Sequence, residues 1–292
     1  MVNLKENKIM KIAACTICKN EENNVAQWLE HTEDFDYRIV LDTGSTDKTI
    51  NLFKKSDVIL YEKTFDPFDF SEARNHVFSL VPSDTNWIFW PDLDEYYCDN
   101  WREILEKNSD LHNASRITYT TIHYHNGVSV IGEETGTIMD CKIHKANMYK
   151  WIKPIHEHLV PITDKDKHLH IDNIIRYHHQ IPSEHRTKLY YDIAKRAADA
   201  DPTDDWNVWF VLNESYKQQN ADNVIKYGNL YLDLTKPYTD FRSLAHMFIA
   251  IATVQLHGAN QSVVISLLRS IAEDPNNERA KLLYTNITGN QI

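Results

Sequence analysis

The chain holds four cysteines in 292 residues (Cys15, Cys18, Cys98 and Cys141), too few and too scattered for a disulfide framework. Cys15 and Cys18 form a lone C-x-x-C inside an apolar, strand-like segment. With no second pair to complete a zinc or redox centre, buried free thiols are expected. Glycine and proline are scarce, at 7 and 9 residues, so low-complexity linkers are not expected. No apolar run approaches the roughly 18 residues of a membrane span. Nor is there a basic amphipathic helix to dock on a membrane surface. The opening MVNLKENKIMKIAACTIC has charge on both sides of a short apolar run and no small-residue cleavage site. A secretory leader is therefore not expected, and the expected location is the cytoplasm. Positive charge is also short: 31 Lys and Arg stand against 42 Asp and Glu, a net −11, which is a poor match to polyanion binding in bulk.

What is present is the composition of a globular protein, 42% hydrophobic and 25% charged, long enough for one large domain or two ordinary ones. The charge is unevenly spread. Residues 1–110 carry 12 basic against 22 acidic side chains, a balance of −10. Residues 111–180 carry 8 against 7, together with ten of the 15 histidines. An acidic first segment suits a site that binds an anion through a metal.

The first 110 residues alternate strand and helix signals. MKIAACTICK, YRIVLD, DVILYE and NWIFWPDLDE read as strands. NEENNVAQWLEHTEDF, capped by Asn20, GSTDKTINLFKK, capped by Ser45 or Thr46, and FSEARNHVFSL read as helices. Such alternation implies a doubly wound, mostly parallel sheet, in which ligands bind at the carboxyl ends of strands. The polar clusters KNEE, DTGSTD and DLDE fall at those ends. ASRITYTTIHYH, VSVIG, TIMDCKIHK, YKWIKPIHEHL and HLHIDNIIRYH then read as a small, partly antiparallel region completing a first domain over residues 1–180. From Pro182 the pattern turns helical. Asp201-Pro202, Lys236-Pro237 and Asp274-Pro275 punctuate it at intervals of 35 and 38 residues, each long enough for two helices. That period is close to tetratricopeptide-like helix pairs, so residues 181–292 read as an α-helical, repeat-like second domain.

The stretch WIFWPDLDEYY carries the sharpest chemical signal. A strand apolar on both faces ends by crowding Asp92, Asp94 and Glu95, which repel one another unless a cation sits among them. Magnesium or manganese is often held by one or two carboxylates plus substrate phosphates. Asp94 is the first choice as metal ligand. Asp92 could take the metal or a ribose hydroxyl, and Glu95 could support them or stay solvated.

The ordered series IAACTICKNEE, IVLDTGSTDKT, FDPFDFSEARN and WIFWPDLDE resembles the family 2 glycosyltransferases of GT-A fold, over roughly residues 10–100. WIKPIHEHL and the R-x-K of EHRTK resemble a bacterial or phage branch of that family with helical C-terminal regions. The resemblance implies a GT-A-like catalytic domain and inverting transfer from a nucleotide diphosphate sugar, most often UDP-linked, with Mn²⁺ or Mg²⁺. It implies that Cys15, Thr16 and Glu21 line the nucleobase and ribose pocket and that Asp42 lies beside the base. Arg74 would face the nucleotide or its phosphates, with Asp92 and Asp94 as the family's DxD. Inverting transfer also needs a base on the acceptor side. Glu157 is assigned to that role, with His156 as a metal or diphosphate contact and His158 orienting either. His178 or His179 is a further metal-ligand candidate, and Arg186 and Lys188 are candidate phosphate clamps. His123, His125, His168 and His170 alternate along strands and read as structural or surface residues.

Two rival readings have their own signatures. A nucleotidyltransferase would show a glycine- and arginine-rich phosphate loop after the first strand, where this chain has CKNEE. A non-catalytic nucleotide-sugar-binding adaptor, recruiting partners through its helices, would be signalled by loss of a DxD acid, and both are present. The acceptor stays open among a saccharide, a peptide side chain and a modified nucleobase. The helical region could recognise that acceptor or drive homo-oligomer formation.

Overall fold

The computed structural model describes residues 10–125, 137–180, 184–237 and 240–292, and the chain divides into two compact units, Met1–Pro182 and Ser183–Ile292. The first unit contains, in order, β1 (Ile12–Cys18), α1 (Val25–His31), β2 (Tyr37–Asp42), α2 (Thr49–Phe53), β3 (Ile59–Glu62), α3 (Phe70–Phe78), β4 (Trp87–Phe89), β5 (Glu95–Tyr97), α4 (Trp101–Lys107), β6 (Arg116–His125), β7 (Thr137–Lys145), β8 (Tyr149–Ile152), β9 (His158–Pro161) and β10 (His168–Gln180). Eight strands form one sheet in the order β3-β2-β1-β4-β7-β6-β10-β5, and β8 and β9 form a separate antiparallel pair. β1 to β4, β6 and β10 run one way, while β7 and β5 run against them. This is the expected mostly parallel α/β sheet with an antiparallel part.

The central strands are apolar on both faces because both faces are covered. Ile12, Ala14, Val40, Trp87 and Phe89 point into one layer with Trp28 of α1, Phe53 of α2 and Trp101 and Leu105 of α4. The alternate residues Ala13, Cys15, Ile39, Leu41, Ile88 and Trp90 point into the other, with Ala73 and Val77 of α3 and Tyr149 and Trp151 of β8. The sheet is thus doubly wound, as the sequence alternation implies.

Several local expectations are corrected. β4 stops at Phe89, because Pro91 has no amide hydrogen for a ladder; the acids form a loop, and Glu95 already belongs to β5. Asn20 does not cap α1, which starts behind Asn24. With φ at 58°, Asn20 instead ties two loops by accepting from the Thr46 amide at 2.7 Å. Neither Ser45 nor Thr46 caps α2, which starts behind Lys48. α4 carries no marked sequence signal, and VSVIG lies outside the described residues.

The second unit contains α5 (Glu184–Ala200), α6 (Asp205–Lys217), α7 (Ala221–Leu234), α8 (Asp240–His257), α9 (Gln261–Glu273) and α10 (Glu278–Thr288), each packed on the next. Two helices lie between Pro202 and Pro237 and two between Pro237 and Pro275. Asp204, Asn220, Asn260 and Asn277 cap their helices by accepting from backbone amides of the first turn. Gly228 of α7 lets α8 approach, since a Cβ there would sit 2.7 Å from Ile249 Cγ1.

Candidate active site

The acid loop Pro91–Glu95 is tied down along its length. Trp28 Nε1 donates to the Pro91 carbonyl at 3.1 Å, and the His179 amide of β10 donates to the Asp94 carbonyl at 2.8 Å. Inside the loop the Asp92 amide donates to Glu95 Oε2 at 3.0 Å, and the Glu95 amide returns to the Asp92 carbonyl at 2.9 Å. A loop so constrained holds its carboxylates in fixed directions.

Two buried arginines compensate the acids. Arg74 reaches from α3, where Asp69 caps the helix by accepting from the Glu72 amide. Its Nε donates to Glu157 Oε1 at 2.5 Å and its Nη2 to Asp92 Oδ1 at 3.0 Å, and the guanidinium carbon lies 5.3 Å from the centre of the Trp90 ring and 5.2 Å from that of Trp151. Arg176, on β10, donates from Nη1 to Glu95 Oε2 at 3.0 Å and from Nη2 to Asp140 Oδ2 at 2.5 Å. The side chains of Arg176 and Glu95 are each only 2% exposed, so this pair lies in the interior. His178, two residues further on β10 and so on the same face, sets Nε2 at 3.5 Å from Asp94 Oδ2 and Nδ1 at 3.7 Å from Glu95 Oε1. Its Nδ1 also meets Nδ1 of His123 on β6 at 3.1 Å.

The protonation behaviour follows this arrangement. Burial works to raise the Asp92 and Glu157 carboxyls, but the charges of Arg74 and Lys142 outweigh it and hold both below the usual carboxylate range. Asp140 is lowered in the same way, with Arg176 as the main opposing charge. Glu95 goes up: its burial and the charge of Asp92 outweigh Arg176. Burial opposes charge on His178, yet Asp94, Glu95 and Asp92 together raise its pKa.

The structure therefore gathers Arg74, Asp92, Asp94, Glu157 and His178 from the predicted set. His156, with φ at 49°, and His158, the first residue of β9, flank Glu157 and are half-buried. His179 turns to the opposite face, where Nε2 meets the Tyr96 hydroxyl at 3.1 Å. Four other predicted residues are placed less openly. Cys15 and Thr16 are fully buried in β1, so neither side chain offers surface to a ligand. Burial pushes the Cys15 thiol up, and both cysteines of the C-x-x-C are free, buried thiols. Asp42, at the end of β2, accepts from the amides of Gly44 at 2.8 Å and Ser45 at 2.7 Å and so forms the turn that follows it. Glu21 is half-buried and accepts from Asn24 Nδ2 at 2.7 Å. Lys188 is exposed on α5, and the Arg186 side chain lies outside the described residues.

Sequence reasoning missed Arg176, Asp140 and Lys142. The signal was there: IIRYHH places Arg176, and TIMDCKIHK places Asp140 and Lys142, beside apolar residues of a strand. Buried strand charges of this kind need partners.

Among the described residues no group of three or more His, Cys, Asp or Glu is arranged to hold a metal ion. Asp94 and His178 supply two donors, a carboxylate and an imidazole. That set fits a divalent cation whose other positions are filled by phosphate oxygens and water. Asp92 is turned to Arg74.

No protein-family model and no curated protein matches the chain. Solved structures that match the chain include S. aureus TarS 1–349 in complex with UDP-GlcNAc, at 14% identity and a TM-score of 0.46, covering 96% of this chain and 92% of that one. A longer S. aureus TarS structure gives 13% identity and 0.42, over 94% of this chain and 55% of that one. Mycobacterium tuberculosis glucosyl-3-phosphoglycerate synthase, in complex with Mn²⁺, UDP and glucosyl-3-phosphoglycerate, gives 17% and 0.29, over 40% and 45%. At these values the function rests on the site itself. No helix among the described residues is long and apolar enough to cross a membrane.

Proposed function

We propose that the chain is a metal-dependent, inverting glycosyltransferase that takes a sugar from a nucleotide diphosphate donor, UDP-linked in the first instance. The observation that carries this reading is the acid loop at the carboxyl end of β4, with Asp94 set against His178 while Arg74 draws in Asp92 and Glu157. Sugar transfer releases a diphosphate, and a bound Mn²⁺ or Mg²⁺ would neutralise the negative charge that develops on it. In this reading Asp94 and His178 hold the cation, and Asp92, kept ionised beside Arg74, adds negative charge to the same loop. Glu157 serves as the acceptor-side base in this reading. Its pairing with Arg74 makes it a weak one, so its proton transfer depends on the acceptor hydroxyl or thiol being held close. Residues 1–180 then form the catalytic domain, and the tetratricopeptide-like helices of 181–292 serve acceptor recognition or self-association.

Thermal unfolding against a panel of nucleotides and nucleotide sugars, each with and without Mn²⁺, tests this reading. A ligand bound only by the native state raises the melting temperature. One nucleotide diphosphate should do so in a manganese-dependent way, and Asp94→Ala should abolish both that dependence and turnover. Retained metal-dependent turnover in Asp94→Ala would sink the assignment. A nucleotide-sugar shift with neither manganese dependence nor turnover would favour the non-catalytic adaptor, and no shift with any ligand would count against this reading.

A further inference from the structure

Resting on that reading, we propose that Arg176 and Glu95 are positioning residues that set the acid loop, and Asp94 within it, in the geometry that receives the divalent cation. Glu95 Oε2 is the junction. It accepts from the Asp92 amide at 3.0 Å and from Arg176 Nη1 at 3.0 Å, so one carboxylate oxygen joins the loop backbone to β10. Arg176 is fixed from its far side by Asp140 Oδ2 on β7 at 2.5 Å, and its guanidinium lies 5.6 Å from the centre of the Tyr119 ring. The β5–β10 register makes His178 the direct partner of Glu95 and Arg176 that of Tyr97. Three successive groups of β10 therefore engage the loop in order: Arg176 through Glu95, His178 through Asp94, and the His179 amide through the Asp94 carbonyl.

The wiring has a cost that a purely architectural role does not explain. A buried ion pair contributes little net stability compared with apolar residues of similar volume. Both partners here are all but inaccessible, and Arg176 Nε is a buried donor with no hydrogen-bond acceptor among the described residues. What the pair does supply is direction: a planar guanidinium fork holds two carboxylates in a fixed plane, which the rotatable ammonium of a lysine would not fix. Groups one bond behind a metal ligand commonly control metal affinity by 10- to 100-fold.

The test is a Mn²⁺ titration at fixed UDP, followed by melting temperature, on the full chain and on Glu95→Gln. The glutamine keeps an oxygen for the Asp92 amide and gives up the charge that Arg176 meets. The expected result is an apparent Mn²⁺ constant weakened about 10- to 100-fold. The metal-free melting temperature should fall in this variant, because one of the two buried partners of Arg176 loses its charge, and the Mn²⁺ constant is read from the further rise that the cation adds to that lower baseline. Arg176→Lys, which keeps the charge and loses the fork, is the second variant and should move the Mn²⁺ constant in the same direction. A lowered melting temperature in either variant with an unchanged Mn²⁺ constant would make the pair merely structural and overturn the proposal. If the parent chain itself shows no Mn²⁺ response with any nucleotide, the glycosyltransferase reading fails, and the positioning role falls with it. That outcome is distinct from a parent that responds and a variant that responds equally.

Discussion

Arg74 and Arg176 in the first unit and Arg242 in the second are all buried arginines, put to different uses. Arg242 gathers the end of α7: its Nη1 donates to the Leu232 carbonyl at 2.6 Å, the Thr235 carbonyl at 2.8 Å and Thr235 Oγ1 at 3.0 Å, while Nε meets Glu273 at 2.8 Å. It satisfies carbonyls that a helix end leaves open, and Glu273 meets its charge. Arg74 and Arg176 each bridge two carboxylates, so around them acid outnumbers arginine by two to one. A fold that needed only a staple would use the first arrangement. The second fixes four carboxylates in set directions, the arrangement that the proposed cation site would use.

The largest expected effect separates these two uses. Arg74→Met and Arg242→Met should each destabilise the chain by about 3–5 kcal/mol, the typical cost of breaking a buried pair. Adding Glu157→Gln to the first should restore a large part of the loss, because the damage there is unpaired charge. Adding Glu273→Gln to the second should restore little, because the donors to the α7 carbonyls stay missing. Urea unfolding of the four variants checks this, and equal rescue in both units would erase the distinction.

An intermediate effect comes from one histidine in each unit. Trp90 Nε1 can only donate, so its 3.0 Å contact makes His144 Nε2 an acceptor and puts the proton on Nδ1, which faces the Lys145 carbonyl at 2.9 Å. Burial keeps this imidazole neutral, with its pKa lowered to about 3. His246, on α8, is lowered by burial and by Arg242 to about 4. Both folded-state values lie below the unfolded value near 6.5. Their contribution is therefore complete above about pH 6.5 and is lost as the pH falls towards the folded values, at up to about 1.4 kcal/mol per pH unit for each site. Melting temperature should decline from pH 7 to pH 5, and His246→Gln should flatten part of that slope. A flat profile in the parent chain would overturn the assignment of both as buried neutral bases.

The smallest effect is a control on which the two units should agree. Asp69 caps α3 and Asp204 caps α6 in the same manner, each accepting from the amide three residues on. Replacing either by alanine should cost about 1 kcal/mol. A much larger loss at Asp69 would mean that α3 is held to the sheet chiefly by its start, and that Arg74 depends on that cap for its position.

The sheet was legible because its strands are buried on both faces and its helices are not, so the change of hydrophobic period marks each element. YRIVLD shows this, observed as Tyr37–Asp42. α4 was not legible: WREILEK is short, and Trp101 and Leu105 acquire meaning only from the layer they enter. Helix starts were misread where Asn20 and Ser45 serve loop-to-loop ties, since an Asn or Ser side chain that can cap a helix can equally bind another turn.

The same division holds for the site. Local sequence determined that acids crowd at the end of a buried strand, that Arg74 lies on the helix before it, and that histidines concentrate downstream. Only the tertiary structure decided which charge answers which. Asp92 and Arg74 are 18 residues apart, Arg74 and Glu157 are 83 apart, and Glu95 and Arg176 are 81 apart. Pairings over such separations are set by strand order and register, here β10 beside β5, and not by any local preference of the chain. Electrostatic compensation depends on distance in space, and a sequence gives the charges without those distances.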